Sequence, residues 1–153
     1  MTTAPHRSSL TPALFYRDPL AALAWLEQAF GFERFMVITN DAGQVEHAEM
    51  RFGDSILMLG REYAEHTASP ASLSGKNTQV VHVHLQSGLD EHRAKARAAG
   101  AVITREPEDQ FYGDRSYSAR DPEGHVWSFG QTVRNVSREE AEQASGLKID
   151  GWV

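Results

Sequence analysis

Two residue pairs in this chain have types and spacing that can do chemistry: His47 with Glu49, and His82 with His84. Neighbours two apart on a β-strand point to the same side. Each pair therefore presents two polar groups to one face. A carboxylate beside an imidazole can serve as a general acid–base pair. A His-x-His pair can ligate a divalent metal, although in an acidic chain such pairs more often line a pocket or the surface. Arg51 continues the face of His47 and Glu49. Arg115 and Tyr117 form a third pair at the same spacing, facing either a pocket or, for Arg115, a structural ion pair. There is no cysteine, so disulfides, thiolate metal sites and thiol nucleophiles are excluded.

The rest of the composition narrows the partners. The chain has 153 residues and a formal net charge of -6. Phosphate backbones and anionic membranes attract Lys and Arg, so this balance points away from both. Met1 to Ser9 holds no apolar core of signal-peptide length. No run approaches the roughly 20 apolar residues of a membrane span. The expectation is a cytoplasmic protein whose partner is a small molecule.

Strands and helices must position these groups. Leu10 to Arg17 reads as a strand. Asp18-Pro19 caps and opens a helix over Leu20–Phe30, closed by Gly31. Phe32–Thr39, Gln44–Phe52 and Ser55–Gly60 read as three strands with turns between them. Residues 61–78 read as a polar, irregular linker. The order then recurs. Gln79–Gln86 is a strand, and Ser87 is placed to cap a helix over Leu89–Ala99. Strands follow at Ala101–Thr104, ahead of Arg120 and over His125–Gln131. Ser137 and Glu140 make a capping box for a short last helix ending at Gly146. Trp152 in the tail is expected to dock, on a partner subunit or on its own chain.

Three markers share one offset. Asp18 and Ser87 are 69 apart, Gly31 and Gly100 are 69 apart, and Gly60 and Gly130 are 70 apart. With the matching element order, this is a two-unit internal repeat. The fold class is α+β: two βαβββ modules related by a pseudo-twofold axis. The divisions are an N-terminal tail (1–9), a first module (10–60), a linker (61–78), a second module (79–132) and a C-terminal helix with its tail (133–153).

The sequence resembles the vicinal oxygen chelate superfamily, which includes glyoxalase I, bleomycin-resistance proteins and extradiol dioxygenases. The resemblance rests on Tyr16-Arg17-Asp18-Pro19, on Ala29-Phe30-Gly31-Phe32-Glu33, and on His47 through Asp54. In the second half it rests on Arg97 through Ala101, on Tyr112-Gly113-Asp114-Arg115, and on Asp121-Pro122-Glu123-Gly124-His125 through Phe129. It spans roughly residues 10–132. It implies a curved mixed sheet in each module, with the helix on its convex face, and a concave pocket enclosed between them. It also implies a homodimer. In metal-dependent members a divalent cation sits in the pocket, held by His and Glu from the first and last strands of each module.

Counting from the turns places the equivalent positions at Thr11, near Met58, at His82 (or Val81) and at Ser128. Thr, Met and Ser are poor partners for the cations concerned, so no standard metal site is expected. A displaced metal site using His47, Glu49, His82 or His84 is the alternative. Strand alternation sends His47, Glu49, Arg51, His82, His84 and Ser128 to the pocket, with Arg115 and Tyr117 plausible additions. Phe15, Phe111 and Tyr112 line its mouth or belong to the core. Trp127 faces the helix.

The leading reading is a metal-free small-molecule-binding protein of the bleomycin-resistance type, taking an aromatic or cationic metabolite or antibiotic. The alternative is a glyoxalase-like lyase or isomerase, or a dioxygenase, with a displaced divalent metal. A third reading is a homologue that only dimerises, its pocket plugged by Met58 and Phe15. Whether the chain is an enzyme stays open on sequence alone.

Overall fold

β1 (Ala13–Tyr16), α1 (Pro19–Phe30), β2 (Glu33–Thr39), β3 (Val45–Phe52) and β4 (Ser55–Arg61) form the first module. β5 (Val81–His84), α2 (Leu89–Ala98), β6 (Val102–Asp109), β7 (Asp114–Arg120) and β8 (Val126–Thr132) form the second, and α3 (Arg138–Ser145) follows. The structure is a computed structural model that describes residues 7–152; most of the expected N-terminal tail and Val153 lie outside the described residues. The strand orders are β1-β4-β3-β2 and β5-β8-β7-β6, the same permutation twice. In each sheet the first and last strands pair in parallel and the other neighbours antiparallel.

Local chemistry explains the boundaries. The Asp18 carboxylate accepts the Ala21 amide at 3.0 Å, Pro19 opens α1, and Gly31 closes it at φ 78°. Only glycine takes that left-handed conformation cheaply. β1 starts at Ala13 rather than Leu10 because Pro12 has no N–H; its carbonyl still accepts the Met58 amide at 2.9 Å. α2 departs from expectation, because Ser87 does not cap it. Gly88 holds that position at φ 74° with no side chain to cap with, and the Leu89 amide donates instead to Gln131 Oε1 at 3.0 Å. β6 runs past Thr104 to Asp109 and includes Pro107. It is an edge strand whose register slips between Arg105 and Glu108, where a missing donor is tolerated.

Each helix covers one face of its sheet. Leu14, Tyr16, Ala48, Met50, Leu57 and Leu59 are buried under α1. Val83, Tyr117, Ala119, Trp127 and Phe129 do the same under α2. The two halves share one core, joined by Phe30, whose ring packs on Trp25, His92, Trp127 and Phe129. α1 and α2 touch, whereas among the described residues no strand of one sheet packs on a strand of the other.

A second joint is polar. Asp121 begins the β7–β8 turn and accepts hydrogen bonds from the Tyr16 hydroxyl at 2.7 Å and Trp127 Nε1 at 3.1 Å. Its other oxygen accepts the amides of Glu123 and His125. The Glu123 carboxylate accepts the amides of Arg17 and Asp18 and the Ser69 hydroxyl. His125 Nε2 donates to the Phe15 carbonyl at 2.8 Å. The stretch 61–78, expected as an irregular linker, is a strap with little regular structure. It holds a 3-10 turn at Pro70–Leu73, and Asn77 bonds the Gly124 carbonyl and the Val126 amide.

His92 ties the helices together. The Phe30 carbonyl can only accept, so His92 Nε2 carries the proton donated to it at 2.9 Å. Nδ1 is then the acceptor for the Tyr117 hydroxyl at 2.6 Å. Burial holds the imidazole below its ordinary pKa, only partly opposed by the Phe30 carbonyl. Its folded pKa is thus lower than its unfolded value. The unfolded chain takes the proton first, and stability falls as pH drops below about 6.5, the ordinary value for histidine. Urea denaturation at pH 7.5 and 5.5 is expected to show this loss, and His92→Gln to reduce it. A loss undiminished in His92→Gln would assign it to other groups.

The capping box of α3 is present: Ser137 Oγ accepts the Glu140 amide, Glu140 accepts the Ser137 amide, and Gly146 closes the helix. The tail folds back on its own chain. Trp152 Nε1 donates to the Val136 carbonyl at 3.0 Å, and the Ile149 amide to Glu142.

Candidate functional site

Directly paired residues of neighbouring strands point to the same side. The helix-free faces can therefore be read in rows across the register. In the N-terminal sheet one row is Ala13, Met58, Glu49 and Met36, and the next contains Phe15 with Gly60, and His47 with Ile38. In the C-terminal sheet the corresponding rows are His82, Ser128, Ser118 and Arg105, then His84, Gly130, Ser116 and Glu108. One face is largely apolar around the buried Glu49 carboxylate, with His47 beside it. The other is polar, with small side chains and two imidazoles.

Glu49 is the unusual group. It is 3% exposed, with the Arg7 guanidinium and the His47 ring against it. Arg7 Nη1 donates to Oε1 at 3.3 Å, and Arg7 Nη2 lies 3.3 Å from Oε2. That second contact is an ion pair out of hydrogen-bonding line, which leaves Oε2 buried without a hydrogen bond. His47 Nε2 is 3.4 Å from Oε1. Burial pushes the carboxyl pKa up, but the bonds from Arg7 and His47 outweigh it and hold Glu49 below the usual range. Arg51, on the same side, lies over the Phe35 ring at 4.6 Å. Phe15 meets Tyr63 of the strap edge-on at 5.8 Å.

On the other sheet His82 Nδ1 lies 3.0 Å from Ser128 Oγ. Burial, with His84 and Arg105 nearby, holds His82 below its ordinary pKa against the pull of Asp114. Arg105 donates to Ser116 at 3.0 Å. His84 is exposed on the same face.

The expected site residues thus divide. His47, Glu49, Arg51 and Phe15 share one helix-free face, and His82, His84 and Ser128 share the other. Arg115 and Tyr117 do share a face, but it is the helix side. Arg115 bonds Asp90 of α2 and Asp109 at 3.0 Å each. Tyr117 is fully buried against His92 and Phe129. Alternation relates the two residues to each other and leaves open which side the helix covers. Arg105 and Arg7 were missed. The bulge in β6 moves Arg105 to the open side, and Arg7 comes from a segment with no periodic signal.

The register also revises the metal positions. His82 pairs with Ser128, and the repeat places Ala13 with Met58 in the other sheet. The first-strand position is therefore Ala13, not Thr11. A methyl group, a thioether, a hydroxyl and one imidazole do not fit a divalent cation of the superfamily's kind. Among the described residues, no three His, Asp or Glu side chains are placed to hold a metal.

Two βαβββ modules with the same strand permutation, each with one covered and one open face, define a class. The chain belongs to the Glyoxalase/Bleomycin resistance protein/Dioxygenase superfamily, whose sequence profile matches residues 9–129. An uncharacterized protein of Mycobacterium bovis is 31% identical over 148 residues, which is 94% of this chain and 95% of its own length. Among solved structures, TioX from Micromonospora sp. ML1 is 34% identical with a TM-score of 0.65, covering 85% of this chain and 100% of that one. A family enzyme from Burkholderia phytofirmans PsJN has a TM-score of 0.64 at 21% identity, covering 80% and 97%, and shares the fold. Among the described residues no helix is long and apolar enough to cross a membrane.

Proposed function

We propose that this protein binds a small aromatic or cationic molecule, without the superfamily's divalent metal, and that it works in the cytoplasm as a homodimer. The observation that carries the reading is Glu49: a sheltered carboxylate in an apolar face, already holding a guanidinium. Charge-assisted hydrogen bonds at sheltered sites are the strong ones. The Arg7 side chain has the chemistry of the cation that such a site recognises. Phe15 and Tyr63 supply aromatic edges nearby, and a site of apolar walls with a few polar groups suits small-molecule recognition. The donor set at Ala13, Met58, His82 and Ser128 supports the metal-free part.

The dimer has its own support. Phe35, Met36, Val37 and Ile38 of edge strand β2 are all exposed, at 36–47%. An apolar unpaired edge is a liability in a monomer. Among the described residues the strands of the two sheets do not pack on each other, and a second copy would cover their helix-free faces. Sedimentation is expected to give twice the chain mass, and a monomer at micromolar concentration would overturn this part.

Benzamidine, a flat aromatic cation, is the probe. Glu49→Gln is expected to weaken its binding about tenfold or more, the scale of one charged hydrogen bond. Arg7→Ala is expected to strengthen it, because the internal competitor is gone. Equal binding to wild type and Glu49→Gln would sink the proposal. One tightly held metal per chain, by elemental analysis after loading with Zn²⁺, Ni²⁺, Mn²⁺ or Fe²⁺, would favour the metal-dependent enzyme reading instead.

A further inference from the structure

The repeat fills one module junction and leaves its counterpart open. At the filled junction the Asp121–His125 turn lies against the corner between β1 and α1. The Glu123 carboxylate takes the amides of Arg17 at 2.6 Å and Asp18 at 3.0 Å. The strand registers map Phe15–Asp18 onto His84–Ser87, and His125–Trp127 onto Ser55–Leu57. Every filling group has a smaller counterpart: Ser55 for His125, Leu57 for Trp127 and Leu85 for Tyr16. The β3–β4 tip, Gly53-Asp54, is one residue shorter than Pro122-Glu123-Gly124, and Asp54 is engaged by the Ser55 hydroxyl at 3.3 Å. The volume not filled is a cleft of about 780 Å³. Phe30, Phe32, Phe52 and Leu57 line its apolar side, and the His84–Ser87 corner lines its polar side.

We propose that this cleft is a second ligand site, separate from the Glu49 site, and that it takes a small aromatic carboxylic acid. Its size falls within the range of small-molecule sites. The three phenylalanines offer edges and faces to an aromatic ring. The carboxylate goes to the amides of Gln86 and Ser87, the repeat equivalents of the two amides that Glu123 holds. The molecule itself thus shows a carboxylate bound at this corner in its other half. Asp54 opposes an acid from the rim, but it is solvent-exposed and screened by salt.

The test is amide NMR on the full chain, with 2-naphthaleneacetic acid and its uncharged amide as probes. The acid is expected to shift Phe32, Phe52, Gln86 and Ser87, and to bind about tenfold more tightly than the amide. Ile56→Trp, which fills the cleft, and Leu10→Trp at its exposed rim are each expected to weaken binding while the rest of the spectrum stays folded. The second variant guards against the first failing to fold. No shifts at millimolar acid, equal affinity for acid and amide, or shifts confined to the His82–Ser128 face would overturn the proposal. Because the probe is an anion and the cleft does not include Glu49, the outcome is independent of the benzamidine experiment there.

Discussion

Asp121→Ala is expected to cost about 3–5 kcal/mol of stability, the scale of two buried donors left without an acceptor. The carboxylate is 5% exposed and accepts four hydrogen bonds, from Tyr16, Trp127 and the amides of Glu123 and His125. Alanine leaves a buried hydroxyl and a buried indole N–H without an acceptor, and each such orphan costs about 1–3 kcal/mol. The turn that carries Glu123 and His125 onto the first module loosens as well. Urea denaturation followed by tryptophan fluorescence measures the loss. Tyr16→Phe should cost less, because it removes one donor and leaves the carboxylate with three. Burial and the Asp121 charge push the Tyr16 hydroxyl pKa well above its ordinary value, so it stays a donor throughout the physiological range. A loss below about 1 kcal/mol for Asp121→Ala would mean that water replaces the network at little cost.

Phe30→Ala should cost a similar amount, about 3–5 kcal/mol. Phe30 is fully buried at the end of α1 and touches residues of both modules: Trp25 from its own helix, and His92, Trp127 and Phe129 from the second half. Its removal leaves a cavity at the seam between the two modules. The expected signature is a lower urea midpoint with loss of the near-ultraviolet signal from Trp127. A cost under about 1.5 kcal/mol would mean that the seam repacks, as volume-tolerant cores do. The residue also borders the proposed acid cleft, so Phe30→Ala should change the affinity for 2-naphthaleneacetic acid in the folded fraction.

Much of this fold is written in local signals. Asp18-Pro19 and Gly31 delimit α1, and Ser137, Glu140 and Gly146 delimit α3, because capping is satisfied within a few residues of chain. Alternation put His47 with Glu49 and His82 with His84 on shared sides, and Trp127 on the side opposite Ser128, because a strand's period of two is a property of the backbone. The offset of 69–70 residues exposed the repeat before any contact was known.

Other features depend on groups far apart in the chain, and there the tertiary structure decided. Arg115 and Tyr117 lie on the helix side because Asp90 and His92 of α2 meet them there, across about two dozen residues. Gly88 rather than Ser87 begins α2, because the approach of the strand to the helix sets the backbone angle at that corner. The first metal-equivalent position is Ala13, which only the register with Met58 reveals. Arg7 reaches Glu49 from 42 residues away, a contact with no local pattern. Periodicity tells which residues share a side. Which side is covered, which junction is filled and which cleft stays open follow from how the two modules pack, and packing is settled by non-local contacts.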